Sequence, residues 1–222
     1  MRQQRSAIVR ERLGMDTLAP LPLDFDAPSH SYTWQPTGEK LAYSTTEILS
    51  ALKTPQQLAA FARTKHIWEP RGTAVHFALE QFLSGIPMED LLGGPYDKWI
   101  EPLLTHPFWE SFEPIAIEYR VCDLRRSIGG SLDFLGFDHL TNRIVLGDLK
   151  TTSSKRAPYS TDAQLGSYLA SLIDHRKVLI DEAVTVWASP GDTTIGDSQS
   201  PDQCLNAWEI AYYHWCRSQE VI

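Results

Sequence analysis

The stretch GGSLDFLGFDHLTNRIVLGDLKTT, residues 129–152, carries two apolar runs joined by the polar loop HLTN. Each run has the length and composition of a β-strand, and a four-residue connection is a common hairpin loop. That loop sets Asp138 opposite Arg143, and the same register sets Asp133 opposite Asp148. Side chains on a strand alternate between faces, so Asp148 and Lys150 share one face. An isolated D-x-K is most often a surface ion pair. Two directly opposed carboxylates repel, however, and a divalent cation between them is the simplest remedy. A register slip of one residue would turn one aspartate away, and that alternative stays open from sequence alone.

Outward from the hairpin, EPIAIEYRVCD before it and EAVTVWAS after it read as further strands. DAQLGSYLASLIDHRK between them reads as a helix, and QCLNAWEIAYYHWCRS as a final helix with Leu205, Trp208, Tyr212 and Trp215 on one stripe. PGDTTIGDSQSPD is a polar loop. Upstream, STTEILSAL starts a helix with the capping-box pair Ser44 and Glu47. TPQQLAAFARTK predicts a second helix, with Thr54 as cap and Pro55 in its first turn, and RGTAVHFALEQFLSG a third, closed by Gly85. PYDKWIEPLLTHPFWESF predicts one more short helix and a loop. HSYTWQ predicts a short strand turned by PTGEK, after the irregular TLAPLPLDFDAPSH. The pattern is that of an α/β (α+β) fold with a mixed central sheet flanked by helices. Residues 1–40 are an N-terminal extension and residues 41–222 one domain.

The 222 residues are 42% hydrophobic, enough for a proper core, and no apolar run is long enough to span a membrane. MRQQRSAIVRERLG is basic without the apolar centre of a secretory signal, and reads as a basic helix or arm. The expected location is the cytoplasm of a bacterium or phage-infected cell, with a mitochondrial location as the lesser alternative. Cys204 and Cys216 sit twelve residues apart on one helix, roughly 18 Å at about 1.5 Å per residue, too far for a disulfide. Three thiols fall one short of a four-cysteine cluster. The net charge of −8 argues against non-specific coating of nucleic acid but not against an enzyme that needs carboxylates for a metal. It also leaves room for a protein that recruits the chain to DNA.

Further residues extend the constellation. Gly72, His76 and Glu80 form one helical stripe that can bring a ligand imidazole and a carboxylate to a cation. Gln164 and Tyr168 share a helix face and carry hydrogen-bonding groups fit for a phosphate or for the lysine. Gly130 and Gly136 bracket Asp133, where a strand glycine marks a bulge or a close approach, here read as room for a nucleic-acid strand. Arg71, Thr151, Lys155 and Arg156 are candidate phosphate contacts, extended by Arg2, Arg5, Arg10 and Arg12. Tyr159, Trp68 and Trp34 are candidates to stack on unpaired bases.

Taken in order, G-x-x-x-H-x-x-x-E, G-x-x-D-x-x-G, D-x-K and Q-x-x-x-Y resemble the RecB-like branch of the PD-(D/E)XK nuclease superfamily, from about Ser44 to Tyr168. Within it, YSTTEILSAL, RGTAVHFALEQFLSG and the hairpin are similar to the mitochondrial genome maintenance exonuclease and its phage-encoded relatives, which read S-V-T-x-I-L where this chain has Ser44 to Leu49 with an extra threonine. The resemblance implies a restriction-endonuclease-like core and Mg²⁺ or Mn²⁺ held by Asp133, Asp148, the Leu149 carbonyl and His76. It implies that Glu80 binds through water or to a second ion, that Lys150 positions or activates the attacking water, and that Gln164 and Tyr168 support lysine and phosphate. Glu118 lies on a strand where these families often carry a glutamate; an ion pair with Arg120 or Arg125 is the competing reading. No four-cysteine iron–sulfur cluster and no helicase motor are expected. Three readings follow: a metal-dependent DNA exonuclease acting on single strands or frayed ends in replication, recombination or repair; a lambda-type duplex-resecting exonuclease or structure-specific endonuclease; and a non-catalytic nucleic-acid-binding module.

Overall fold

The computed structural model of the chain describes residues 18–154 and 159–220. The N-terminal arginines named above, and Lys155 and Arg156, lie outside the described residues. The elements run β1 (Leu23–Asp26), β2 (Ser31–Trp34), β3 (Glu39–Lys40), β4 (Tyr43–Ser44), α1 (Thr45–Ala51), α2 (Pro55–Leu83), α3 (Asp97–Leu104), β5 (Phe112–Asp123), β6 (Ile128–Asp138), β7 (Arg143–Thr151), α4 (Asp162–Arg176), β8 (Glu182–Ser189), β9 (Asp192–Ile195) and α5 (Pro201–Gln219). Single 3₁₀ turns at Met88–Leu91 and Pro107–Glu110 flank α3.

The fold is mixed α/β, with a six-stranded mixed sheet flanked by helices. One face of the sheet buries Leu135, Ile144 and Leu146 against Leu165, Leu169 and Leu172 of α4. The other buries Phe134, Val145 and Leu149 against Val75 and Leu79 of α2 and Leu103 of α3. Helix α5 closes over α4, with Trp208 and Trp215 buried against Ile48 of α1 and Ile128 of β6. Gly147 is required in β7 because the ring of Phe134 lies over its Cα, in the space that a Cβ would need. No helix among the described residues is long and apolar enough to cross a membrane.

The expected hairpin register is observed, with Asp138 paired to Arg143 and Phe134 to Gly147. Strand β5 runs along one edge of β6 for its whole length. The other edge is shared by β4, in parallel at Ile128 and Gly129, and β7, antiparallel over Phe134–Asp138. Residues 130–133 therefore have no ladder partner on that edge, and the sheet opens there.

Three expectations are corrected. The second and third helices are one 29-residue helix that passes through Pro70. A helix-interior proline loses a hydrogen bond and clashes with the preceding turn, at a cost of about 3 kcal/mol. Burial of Val75, Ala78 and Leu79 against the sheet anchors the turns that follow it. The loop after β8 contains β9, because Pro190–Gly191 makes a two-residue turn, with Gly191 at φ 74, and folds residues 192–195 back on β8. Within the segment read as irregular, Leu23–Asp26 forms β1 of a three-stranded sheet, whose Leu23 and Tyr32 pack with Cys122 of β5.

Candidate metal centre

The opening in the sheet is where the chemistry-bearing residues meet. Asp133 is the last residue of β6 before the ladder to β7 begins. Its Oδ2 accepts a short hydrogen bond from the Leu149 N–H, so the carboxylate continues the strand pairing that the backbone has given up. Its Oδ1 lies 3.3 Å from His76 Nδ1. His76 reaches the sheet from the buried half of α2, and its Nδ1 is also 3.6 Å from Glu118 Oε1. One ligand atom from each of His76, Glu118 and Asp133 falls within 4.8 Å of the others, a grouping able to hold a metal ion.

Glu118 enters this group through an unusual backbone. Its φ is +44°, in the left-handed region, inside an otherwise extended strand. Such a residue costs of order 1–3 kcal/mol, and such outliers cluster at functional sites. The competing ion-pair reading is not what the structure has: Arg125 pairs with Asp174 at 2.8 Å, and Arg120 donates to the Leu23 carbonyl. The sequence signal for Glu118 was only its place on the neighbouring strand.

Asp148 is completely buried beside this cluster. Lys150 Nζ, two residues on and on the same face, lies 2.6 Å from Asp148 Oδ2. The contact is an ion pair, and Asp148 Oδ1 accepts no hydrogen bond from any described residue. A buried carboxylate oxygen left so is expensive unless a further cation serves it. Burial pushes the Asp148 carboxyl up to about 6, against the pull of Lys150 and with the push of Asp133. Burial works against the ammonium of Lys150, but Asp148 and Asp133 outweigh it and raise the lysine. His76 behaves in the same way: burial opposes its charge, and Asp133 with Glu118 raises it to about 10. Burial would also raise Asp133, yet the charge of His76 holds it below the usual carboxylate range. In this state the imidazolium proton occupies the place that a cation would take, and proton and metal compete for the same ligands.

The remaining candidates divide. Glu80 lies one turn beyond His76, outside the three-atom grouping, though its charge adds to the burial and the Asp133 charge that raise Glu118. Gln164 Nε2 donates to the Tyr168 hydroxyl at 2.8 Å, and both line the same cleft as Lys150. Leu149 contributes its N–H to Asp133, while its side chain is core. Arg71 is buried and donates to the hydroxyl and carbonyl of Thr151, with its guanidinium over Trp99, so these two candidates hold α2 to the end of β7. Tyr159 stacks edge-on against Trp187. The glycines around Asp133 correct an expectation. What approaches Gly130 is the ring of Tyr168, and what approaches Gly136 is the ring of Phe112, not a nucleic-acid strand.

No protein-family model matches the chain, and no curated protein matches it. The crystal structure of SSO0001 overlaps it at 14% sequence identity and a TM-score of 0.37, over 77% of this chain and 74% of that one, an overlap too loose to fix a shared fold.

Proposed function

We propose that the chain is a divalent-metal-dependent deoxyribonuclease of the RecB-like PD-(D/E)XK type, hydrolysing DNA from strand ends. The observation that carries this reading is the convergence of Asp133, Asp148 and Lys150 with His76 and Glu118 at the sheet opening, where a buried carboxylate oxygen has no hydrogen-bond donor among the described residues. The donor set is carboxylate oxygens with one imidazole and no thiolate. It fits Mg²⁺ or Mn²⁺ rather than a soft-ligand metal. Asp133, Asp148, Glu118 and His76 would hold the ion, with Glu80 close by. When bound, the ion supplies Lewis-acid polarisation and neutralises charge on the phosphate.

The chain's own groups do the rest. His76 must give up its Nδ1 proton for the site to load. Lys150, kept as an ammonium by two carboxylates, positions the attacking water by donating to it and steadies the charge that develops on phosphate. Gln164 and Tyr168 line the cleft beside it, where their amide and hydroxyl can donate to phosphate oxygens. In-line attack on phosphorus breaks the P–O3′ bond and leaves a 5′-phosphate and a 3′-hydroxyl.

The test is digestion of linear and circular single strands and matching duplexes with Mg²⁺ or Mn²⁺, beside Lys150→Ala. Loss of linear single strands, survival of circles and an inert variant support the reading. Cutting of circles makes the enzyme an endonuclease, and no cutting under either metal favours a binding module.

A further inference from the structure

The cleft does not end at the candidate metal ligands. About 260 Å³ in all, it takes in His76, Glu118, Asp133 and Lys150 and reaches Phe25, His30 and Tyr32 of the N-terminal sheet. These rings form one wall: Phe25 lies 4.8 Å from Tyr32 and 5.2 Å, edge-on, from His30, between ring centroids. Hydroxyls adjoin the rings. Thr46 Oγ1 is 3.3 Å from His30 Nε2, and Ser131 Oγ is 3.2 Å from the Tyr32 hydroxyl. The floor is Gly129 and Gly130, whose missing side chains make room for the rings of Tyr32 and Tyr168.

Tyr32 anchors the wall, with Phe25 half-buried and His30 exposed beside it. Tyr32 is buried on Gly129, and the β1–β2 turn is tied by the Ser29 N–H donating to Asp26 Oδ2 at 3.0 Å. The volume is below the roughly 300–1,000 Å³ of sites for drug-sized ligands. The whole cleft, metal centre included, therefore has room for the end of a single strand and not for a duplex. On the side away from His76 and Lys150, the rings of Phe25, His30 and Tyr32 bound the cleft.

We infer that this recess receives the terminal nucleotide of a single strand, its base against Phe25 and His30 and its sugar-phosphate along Thr46 and Ser131, so that cleavage requires a free end. The inference rests on the nuclease reading and adds to it a reason for end dependence that lies outside the metal centre. Aromatic faces accept any base, so the recess selects for an unpaired end and not for sequence.

The test uses the full chain with Mn²⁺ and oligonucleotides that carry 2-aminopurine at the 5′ end, at the 3′ end or in the middle. Lys150→Ala is used for the binding arm, so that the DNA stays intact. The expected result is strong quenching at one end only. Phe25→Leu/His30→Asn keeps apolar packing and a residue tolerant of left-handed backbone at position 30, where φ is 49°, but removes both ring faces. With Lys150 restored, this variant should melt with the wild type and lose about tenfold or more in kcat/KM on linear single strands, the weight of one base–aromatic stack. In the Lys150→Ala background it should abolish the end-specific quench. Equal quenching at ends and middle overturns the recess and leaves the nuclease reading standing, whereas equal wild-type rates on linear and circular strands overturn the recess together with the strand-end part of that reading and leave a metal-dependent endonuclease. A wild-type chain that neither cuts nor binds DNA with either metal overturns both.

Discussion

Replacing Asp148 by asparagine should make the metal-free protein more stable at neutral pH. The carboxyl is fully buried and its pKa rises from 3.8 to about 6, chiefly through burial, with Lys150 already counted in its favour. A raised carboxyl binds its proton more tightly in the folded state. Stability is therefore full below about pH 4 and is lost as pH rises through about 6. At about 1.4 kcal/mol per pH unit, the ionised side chain costs the fold about 3 kcal/mol at pH 7.5. Asparagine has the shape of the neutral acid and carries no such cost. For a chain of this length, about 3 kcal/mol corresponds to roughly 6–12 °C in melting temperature. The assay is thermal unfolding of wild type and Asp148→Asn in EDTA from pH 4.5 to 8. The gap should be small at pH 4.5, open as pH rises to about 6 and stay level above that. Added Mn²⁺ should raise the wild type and close the gap, because an ion that binds only the folded state stabilises it. If Asp148→Asn melts below the wild type at pH 7.5, or if the gap does not depend on pH, the reasoning about this buried charge fails.

Other outcomes are open to simple measurement. Glu118→Gln keeps the size of the side chain but removes a ligand charge; it should raise the Mn²⁺ concentration at half-maximal thermal stabilisation about tenfold or more, read by dye-based melting. Gly147→Ala forces a Cβ into the ring of Phe134 and should cost about 1–3 kcal/mol in a denaturant titration, part of which Phe134→Leu restores when the two are combined. Burial pushes the thiols of Cys122 up to about 11 and of Cys204 up to about 12, so at pH 8 little thiolate is present at either. Iodoacetamide under native conditions should label the half-exposed Cys216 first, as peptide mass mapping will show.

Much of this was legible before any coordinates. The β6–β7 hairpin follows from strand composition and a four-residue loop, and its register brings Asp133, Asp148 and Lys150 together. The capping residues Ser44 and Thr54 announce their helices correctly, each closing a capping box. What escaped depends on longer-range effects. Pro70 reads as a helix end because propensity is local, while the burial that carries the helix past it comes from the sheet. Strand β9 is polar and short, and only its pairing with β8 makes it a strand. Glu118 joins the metal centre through a left-handed backbone that no residue type signals, and it meets a histidine 42 positions earlier in the chain. The direct opposition of Asp133 and Asp148 was half right. The register holds, but the ladder stops one pair short, and Asp133 turns to the backbone of Leu149.

Helix α2 is divided by its proline into halves under different constraint. Residues 55–70 are exposed, apart from a half-buried Trp68, whereas Val75, Ala78 and Leu79 are buried against the sheet and His76 faces the centre. Substitutions on the outer half fall within about ±0.5 kcal/mol, while truncating Leu79 costs about 2–5 kcal/mol. The outer half can therefore vary in charge and shape over roughly 24 Å of helix without disturbing how His76 is presented. What touches this molecule from outside can diverge there while the buried half stays as it is.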